Sequence, residues 1–547
     1  MKKLSRIALI AFALAALPLG AARAVDTSDS VESVRAAVLN LIRGLVDQGV
    51  ISAAKAQDML RQAGMDPGLL NTPQASHAAP PAAPEPVKPV VRVPYIPEST
   101  MEELREEVRQ EITSQARAER WGTPGTLPSW LDRLSLYGDV KVRFQSDRYD
   151  QSNSPVQNID AAYGQPQGTT LDSTDARDRI RTRARIGVNA KVSDTMQAGV
   201  RVVTSGTSDP YNPTSEYVDA GQYNLRYGAN LDLAYVRWNP LESLSVSGGR
   251  VANPYLGSDL VWARDFTFDS GSLALRLPLG RSWTAFTTAG AHWLLSTSVA
   301  PGVESRDVWM YAGQTGLEAN WQDHSSMQFA AGYFDFERIE GQLNPALPSG
   351  NSEFGNTAVP FHKLGNTTFN INFLSNPNAS PVYALASKFR LVDVYTRWEW
   401  GRFEPWKIGF TGEFVRNVGF RASEISNRIG LAAQALPQDR NGLTGVQRPR
   451  VNGYYLALQV GASEFTRAWD WNVFTAIRRL ERDAVVAEFT SADYRLGGTD
   501  QTARILGFGI GLSPRASLSV RYIAAKSLDL APRFNVDTWL VDVQAGF

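Results

Sequence analysis

From Leu134 to the C-terminus the chain repeats one pattern, in which segments of roughly 9 to 13 residues alternate apolar with polar side chains. Alternation with period two sends successive side chains to opposite faces, so each segment is expected to be a strand with one apolar face. Such segments fall at 134–146, 180–193, 196–206, 230–239, 242–251, 271–279, 282–292, 307–321, 326–337, 384–400, 405–416, 452–462, 469–481, 503–513, 516–526 and 534–547, which makes sixteen. The connectors alternate in length. Ser193-Asp194-Thr195, Asn239-Pro240-Leu241, Leu279-Gly280-Arg281 and Ser513-Pro514-Arg515 are tight and built of turn residues. The segments 147–179, 207–229, 252–270, 293–306, 338–383, 417–451, 482–502 and 527–533 are mostly long and polar. Long loops at one end and short turns at the other predict an all-β fold, a transmembrane antiparallel β-barrel. Faint alternation at 367–374 leaves an eighteen-strand count open, with sixteen preferred.

Strand parity decides which face is wet. In the second segment Arg179, Arg181, Arg183, Arg185 and Lys191 alternate with Ile180, Ala184, Ile186, Val188 and Val192. An arginine on the lipid face near the midplane costs roughly 2–4 kcal/mol, so the basic row is expected to face the lumen. The same parity places Lys141, Arg143, Arg201, Arg397, Lys407 and Arg521 inside, with the acids Asp139, Glu318, Asp393, Glu399, Glu413 and Asp542. Neighbours on one face stand ~6.8 Å apart and repel by about 0.6 kcal/mol per pair in water, several-fold more in a dry interior. Unneutralised arginines therefore call for a wet lumen; structural ion pairs across the wall are the alternative. Segment 251–270 is more apolar and aromatic than the other long connectors, which predicts a loop folded into the barrel. On this reading Asp259, Asp265 and Asp269 face the basic row across a constriction, with Arg264 among them; the alternative is an external loop capping its own strands. Trp398, Trp400, Trp406, Trp469, Trp471, Tyr522 and Trp539 lie near strand ends, as an interfacial girdle requires.

The N-terminal part is organised differently. Lys2, Lys3 and Arg6 precede an apolar run ending in Ala22-Arg23-Ala24, the form of a secretory signal cleaved after residue 24. Cleavage removes four cations and no acid, so a chain of 55 basic and 55 acidic residues becomes 51 against 55. Residues 25–70 read as a helical hairpin, 71–97 as a proline-rich linker, and 98–122 as a charged amphipathic helix with a coiled coil left open. This small helical region is expected in the periplasm. Absence of cysteine excludes disulfides, thiolate metal sites and a cysteine nucleophile, and four histidines leave little for a metal centre. No serine–histidine constellation, phosphate loop or metal motif appears, so neither an enzyme nor a cofactor is expected. The near-zero charge argues against a nucleic-acid partner.

Counting back from Phe547, Ala545, Val543, Val541 and Trp539 form an apolar face. This resembles the C-terminal strand of bacterial outer-membrane barrels, whose final aromatic is read by the barrel-assembly machinery. Further stretches carry a wider resemblance: Val91-Arg92-Val93-Pro94-Tyr95-Ile96-Pro97-Glu98, Leu127-Pro128-Ser129-Trp130-Leu131-Asp132-Arg133-Leu134, Gly138-Asp139-Val140-Lys141-Val142-Arg143-Phe144, Arg181-Thr182-Arg183-Ala184-Arg185-Ile186-Gly187, Leu231-Asp232-Leu233-Ala234-Tyr235-Val236, and Asn253-Pro254 followed by Asp259-Leu260-Val261-Trp262. With these the chain resembles the putative porin family of Gram-negative bacterial outer membranes. The resemblance implies an outer-membrane channel for passive diffusion of small hydrophilic solutes or ions, without naming a substrate. Arg264 beside Asp265 departs from the acidic pair familiar there and puts the charge of the constriction in question. The expected partners are the lipid bilayer, small solutes and, through Phe547, the assembly machinery, with a homotrimer left open. A structural or adhesion barrel with a periplasmic tether is the alternative. The arginine row predicts anion preference, while lumen aromatics that would suit sugars are scattered, as at Tyr137, Tyr395 and Tyr455.

Overall fold

A computed structural model describes residues 131–547 except for 154–155, 158–169, 172, 206–216, 222, 225, 297–305, 346–353, 360–362, 375–380, 404, 437–440, 442 and 530–532. The signal at 1–24, the hairpin at 25–70, the linker at 71–97 and the helix at 98–122 lie outside the described residues. Sixteen long strands build the wall: β1 (Leu134–Tyr149), β2 (Arg177–Lys191), β3 (Met196–Ser205), β4 (Gly228–Leu241), β5 (Leu244–Ala252), β6 (Thr267–Pro278), β7 (Trp283–Leu295), β8 (Val308–Asn320), β9 (Ser326–Glu337), β10 (Phe389–Phe403), β11 (Trp406–Asn417), β12 (Asn452–Gly461), β13 (Trp471–Leu480), β14 (Gln501–Ser513), β15 (Ala516–Ser527) and β16 (Asn535–Gly546). Each pairs antiparallel with its neighbours in sequence, and β1 also pairs with β16, Val142 standing beside Thr182 on one side and Val543 on the other. The sheet is closed, so it has no free edge.

The eighteen-strand alternative is not realised. Thr368–Asn370 pairs with Tyr383–Leu385 in a separate two-stranded ladder within the long β9–β10 connector. Its alternation serves a local core instead, where Phe369, Ile371 and Ala384 are buried with Ile425 and Ile429 of the helix Ala422–Ile429.

The outer face carries exposed apolar side chains, among them Leu136, Ile180, Ile186, Val200, Leu458 and Leu506, an apolar belt of the kind a bilayer covers. Trp398, Trp400, Trp406, Trp469 and Trp539 are exposed towards strand ends, and Trp539 packs on Tyr522 with ring centroids 4.8 Å apart. Inside, the two halves of the wall differ. The inner faces of β5, β6, β8, β9 and β10 present Val251, Phe268, Met310, Phe334, Phe336 and Leu391 to an apolar mass completed by loop residues. Facing them across the lumen, β1 and β2 present the basic row.

Candidate functional site

The register of β1 on β2 sets like charges opposite one another: Lys141 stands beside Arg183 and Arg143 beside Arg181. Such pairs repel, so carboxylates from other segments must stand among them. The row is ion-paired, not unneutralised as the bare strand pattern suggested. Arg179 donates to Asp147 at 2.7 Å, and Arg181 to Asp219 at 2.7 Å, the latter from a two-residue strand, Val218–Asp219, that adds to β2. Arg183 donates to Asp139 at 2.8 Å and to Asp265 at 2.6 Å, while Arg185 donates to the same two carboxylates at 2.7 and 2.9 Å. Arg143 donates to Asp542 and to Asp493, each at 2.6 Å, and its guanidinium lies 4.3 Å from the ring centre of Tyr217. Arg521 reaches Asp493 at 2.8 Å. On the next strands Asp232 is the extra residue of a bulge opposite Arg201 and Val202, and the bulge turns it inward to accept from Arg201 at 2.5 Å.

Loop 253–266 enters the lumen and is fastened on several sides. Leu256 exchanges two hydrogen bonds with the Gln314 side-chain amide, at 2.8 and 2.7 Å. Ser258 donates its backbone N–H to Glu413 at 2.7 Å and its hydroxyl to the same carboxylate, with Asp393 buried against Glu413. Trp262 is buried, its ring 5.1 to 6.1 Å from those of Phe268, Phe266, Phe334, Phe489 and Phe336. The three loop acids part company. Asp265 binds the basic row directly; burial alone would raise its carboxyl, yet Arg183 and Arg185 hold it at about 2. Asp259 accepts from the Tyr494 hydroxyl at 2.7 Å. Asp269 alternates with the buried Phe268, so it points to the other face of β6 and pairs there with Arg250 at 2.9 Å. A transverse field from three acids facing the arginines is therefore absent, because only Asp265 meets the row.

A second loop enters as well. Residues 481–500, where the pattern predicts the polar connector 482–502, are largely buried, because Ala484-Val485-Val486-Ala487 and Phe489 join the apolar mass. The Ala263 N–H donates to the Phe489 carbonyl at 2.8 Å, tying the two loops together. Asn366 and Thr367 clamp it from the β9–β10 connector: Thr367 donates to Asp483 at 2.9 and 2.7 Å, and Asn366 to the carbonyls of Arg482 and Val485 at 2.7 and 2.9 Å. Burial raises the Asp483 carboxyl to about 6 despite the Thr367 bonds. Burial would also raise Asp493, but Arg143 and Arg521 hold it well below the usual carboxylate range.

Beneath the loops lies a polar cavity of about 620 Å³, walled by β1 and β10–β16 and roofed by loop residues Tyr255, Asp259 and Arg264. A second cavity of about 830 Å³ opens at the short-turn end and shares Arg397, Glu399 and Ser463 with the first. Lys141, Arg521 and Asp542 line the upper cavity, and Glu318 the lower. Lys141 and Arg264 make no ion pair or hydrogen bond among the described residues. Lys191 sits apart, pairing with Asp194 at 3.3 Å beside a turn.

A family model described as "Putative porin" matches residues 35–547. The chain belongs to the putative porin family. In structure this porin-family barrel is similar to Pseudomonas putida OprB at high pH, with 10% identity, 77% of this chain and 96% of that one covered, and a TM-score of 0.44. The corresponding values are 10%, 76%, 97% and 0.37 for Salmonella typhi OmpF in complex with daunomycin. For an anion-selective porin from Comamonas acidovorans they are 11%, 76%, 99% and 0.37. No curated protein matches this porin-family chain in sequence.

At the end of the porin-family chain, Trp539, Val541 and Val543 stand on the outer side of β16, opposite the inward Asp542. Phe547 extends the pairing with β1: its N–H donates to Gly138 at 3.0 Å and its carbonyl accepts from Gly138 at 3.2 Å. The Phe547 ring covers Gly138 so closely that a Cβ at 138 would lie 2.4 Å from it. Residues that the strand pattern alone does not single out are Asp219, Asp493, Tyr494 and Asn366, all from connectors. For 481–500 the signal in the sequence is the apolar run Ala484-Val485-Val486-Ala487, which no external loop needs.

Proposed function

We propose that this barrel is an outer-membrane channel that lets small hydrophilic solutes or ions diffuse passively across the membrane. One observation carries the reading: two polar cavities that share Arg397, Glu399 and Ser463 lie inside a wall whose outside is apolar, and the upper one is lined by Lys141 and Arg264, which have no ion-pair partner among the described residues. Water fills such a space at no cost, whereas an apolar core would have to bury those charges. In this account Arg143, Arg179, Arg181, Arg183, Arg185, Arg201 and Arg521, with Asp139, Glu318, Asp393, Glu413 and Asp542, belong to the pore lining, most of them as paired charges that fix its shape. Lys191 stands at its rim. Loop 253–266 narrows the passage, through Asp259, Arg264 and Asp265. Anion preference then follows from Lys141 and Arg264 more than from the arginine row, since the row is already neutralised. On this reading residues 25–122 belong in the periplasm, and Trp539, Val541, Val543 and Phe547 address the chain to the assembly machinery.

Planar-bilayer recording of the purified full-length protein tests this. Ion conductance with a reversal potential favouring anions is expected in a salt gradient. No conductance at any voltage overturns the channel and favours a structural barrel.

A further inference from the structure

We infer that the upper cavity is a binding site for small aromatic carboxylates, an inference that rests on the channel reading and narrows it to one solute class. The cavity lining combines two chemically distinct groups. In the first, Lys141 comes from β1 and Arg264 from the entering loop, and neither has an ion-pair partner among the described residues. Their isolation has a cause in the register. Lys141 lies beside Arg183, and the carboxylates near it are bonded by other cations: Asp542 by Arg143, and Asp139 and Asp265 by Arg183 and Arg185. Arg264 precedes Asp265, whose carboxylate turns away to that wall. Two cations beside water that no carboxylate contacts directly leave room for an anion from solution.

In the second, Tyr455 of β12, Phe474 of β13 and Phe465 of the β12–β13 turn line the same space and are only half-buried. Phe465 reaches up from the turn, close enough to the wall that a Cβ on Gly509 would stand 2.6 Å from its ring. These faces offer an apolar and π surface to a planar group. Of the acids on the lining, Asp542 is bonded by Arg143 and Glu399 by Arg397, while Asp259 is held by the Tyr494 hydroxyl at 2.7 Å. A volume of about 620 Å³ falls within the range of sites that hold a small organic molecule together with water. An inorganic anion would use the cations and leave the aromatic side bare, and a neutral sugar would do the reverse. A carboxylate on a flat apolar body uses both.

The test uses the full-length protein in a planar bilayer carrying chloride current, titrated separately with benzoate, acetate and benzamide. Benzoate should block the current saturably, and acetate and benzamide should each be about tenfold or more weaker, a factor equal to roughly 1.4 kcal/mol. Lys141→Met and Arg264→Gln, each confirmed as folded by heat-shifted gel mobility, should each weaken benzoate block about tenfold, read against that variant's own unblocked current. Equal block by acetate overturns the aromatic half of the site, equal block by benzamide overturns the cationic half, and undiminished block in both variants overturns the location. Equilibrium dialysis of labelled benzoate against the detergent-solubilised protein separates the two readings. Binding without conductance overturns the channel and keeps the site, whereas conductance without binding overturns the site alone.

Discussion

Arg183 donates to Asp265 at 2.6 Å across 82 residues of chain, and this bond fastens the entering loop to the wall. Replacing Asp265 by Asn removes the negative charge that Arg183 and Arg185 share. The cost should be about 1–2 kcal/mol in urea unfolding, below the range for fully buried pairs because the Asp265 side chain is 36% exposed. Arg183 and Arg185 would then share Asp139 alone, and the one added positive charge should shift the reversal potential further towards anions. An unchanged potential would mean that the loop does not face the current path.

The same carboxyl sets an acid limit. Its ordinary value is 3.8 and its folded value about 2, so the folded state gains stability above 3.8 and loses it as pH falls through about 2. Acid should therefore loosen the loop only in the window from about pH 4 down to 2, seen as a rise in protease cleavage near 253–266 that Asp265→Asn no longer displays.

Asp483 behaves oppositely. Burial lifts it from 3.8 to about 6, so its contribution is complete below 3.8 and is lost as pH rises through about 6. Asp483→Asn keeps an acceptor for Thr367 and removes the charge. The variant should melt within error of the wild type at pH 4 and be about 1–2 kcal/mol more stable above pH 6, by thermal unfolding in detergent.

Phe489 joins the two entering loops, its ring 5.1 Å from Phe266 and 5.8 Å from Trp262. Phe489→Ala opens a void among rings that cannot close up, costing about 3–4 kcal/mol. Conductance should rise, since loop 481–500 loses its hold on loop 253–266. Lower stability with unaltered conductance would place loop 481–500 outside the conducting path.

Gly138→Ala puts a methyl 2.4 Å from the Phe547 ring and 2.5 Å from the Arg185 carbonyl. Closure between β1 and β16 should suffer, with a several-fold smaller fraction of heat-shifted, assembled barrel than wild type in cells. Phe547→Ala in the same background should restore nothing, because the backbone clash with Arg185 persists.

The wall was legible in the sequence because its rule is local. Parity within β2 places Ile180 and Ile186 outside and Arg181 and Arg183 inside without reference to any partner. Loop 253–266 was legible through its own apolar residues, and its fold into the barrel follows from the same burial that hides Trp262. What parity cannot give is the partner of each charge. Asp219 and Asp493 come from connectors whose entry depends on packing among distant rings, so the arginines looked bare from β2 alone. The direction of Asp269 departs from the loop expectation because β6 begins at Thr267, and inside a strand an acid beside Phe268 must point the other way. The ladder at 368–370 followed the alternation rule but spent it on a core internal to its own loop.

The lumen is eccentric, with rings and aliphatic side chains filling the arc of β5 to β10 while the open cavity runs along β10 to β16 and β1. A substitution scan should therefore divide around the circumference. Exchanges on the filled arc would change how long the barrel survives heat. Those on the open arc would change what it admits, which leaves one stretch of wall free to diverge between related chains while the rest is held in place.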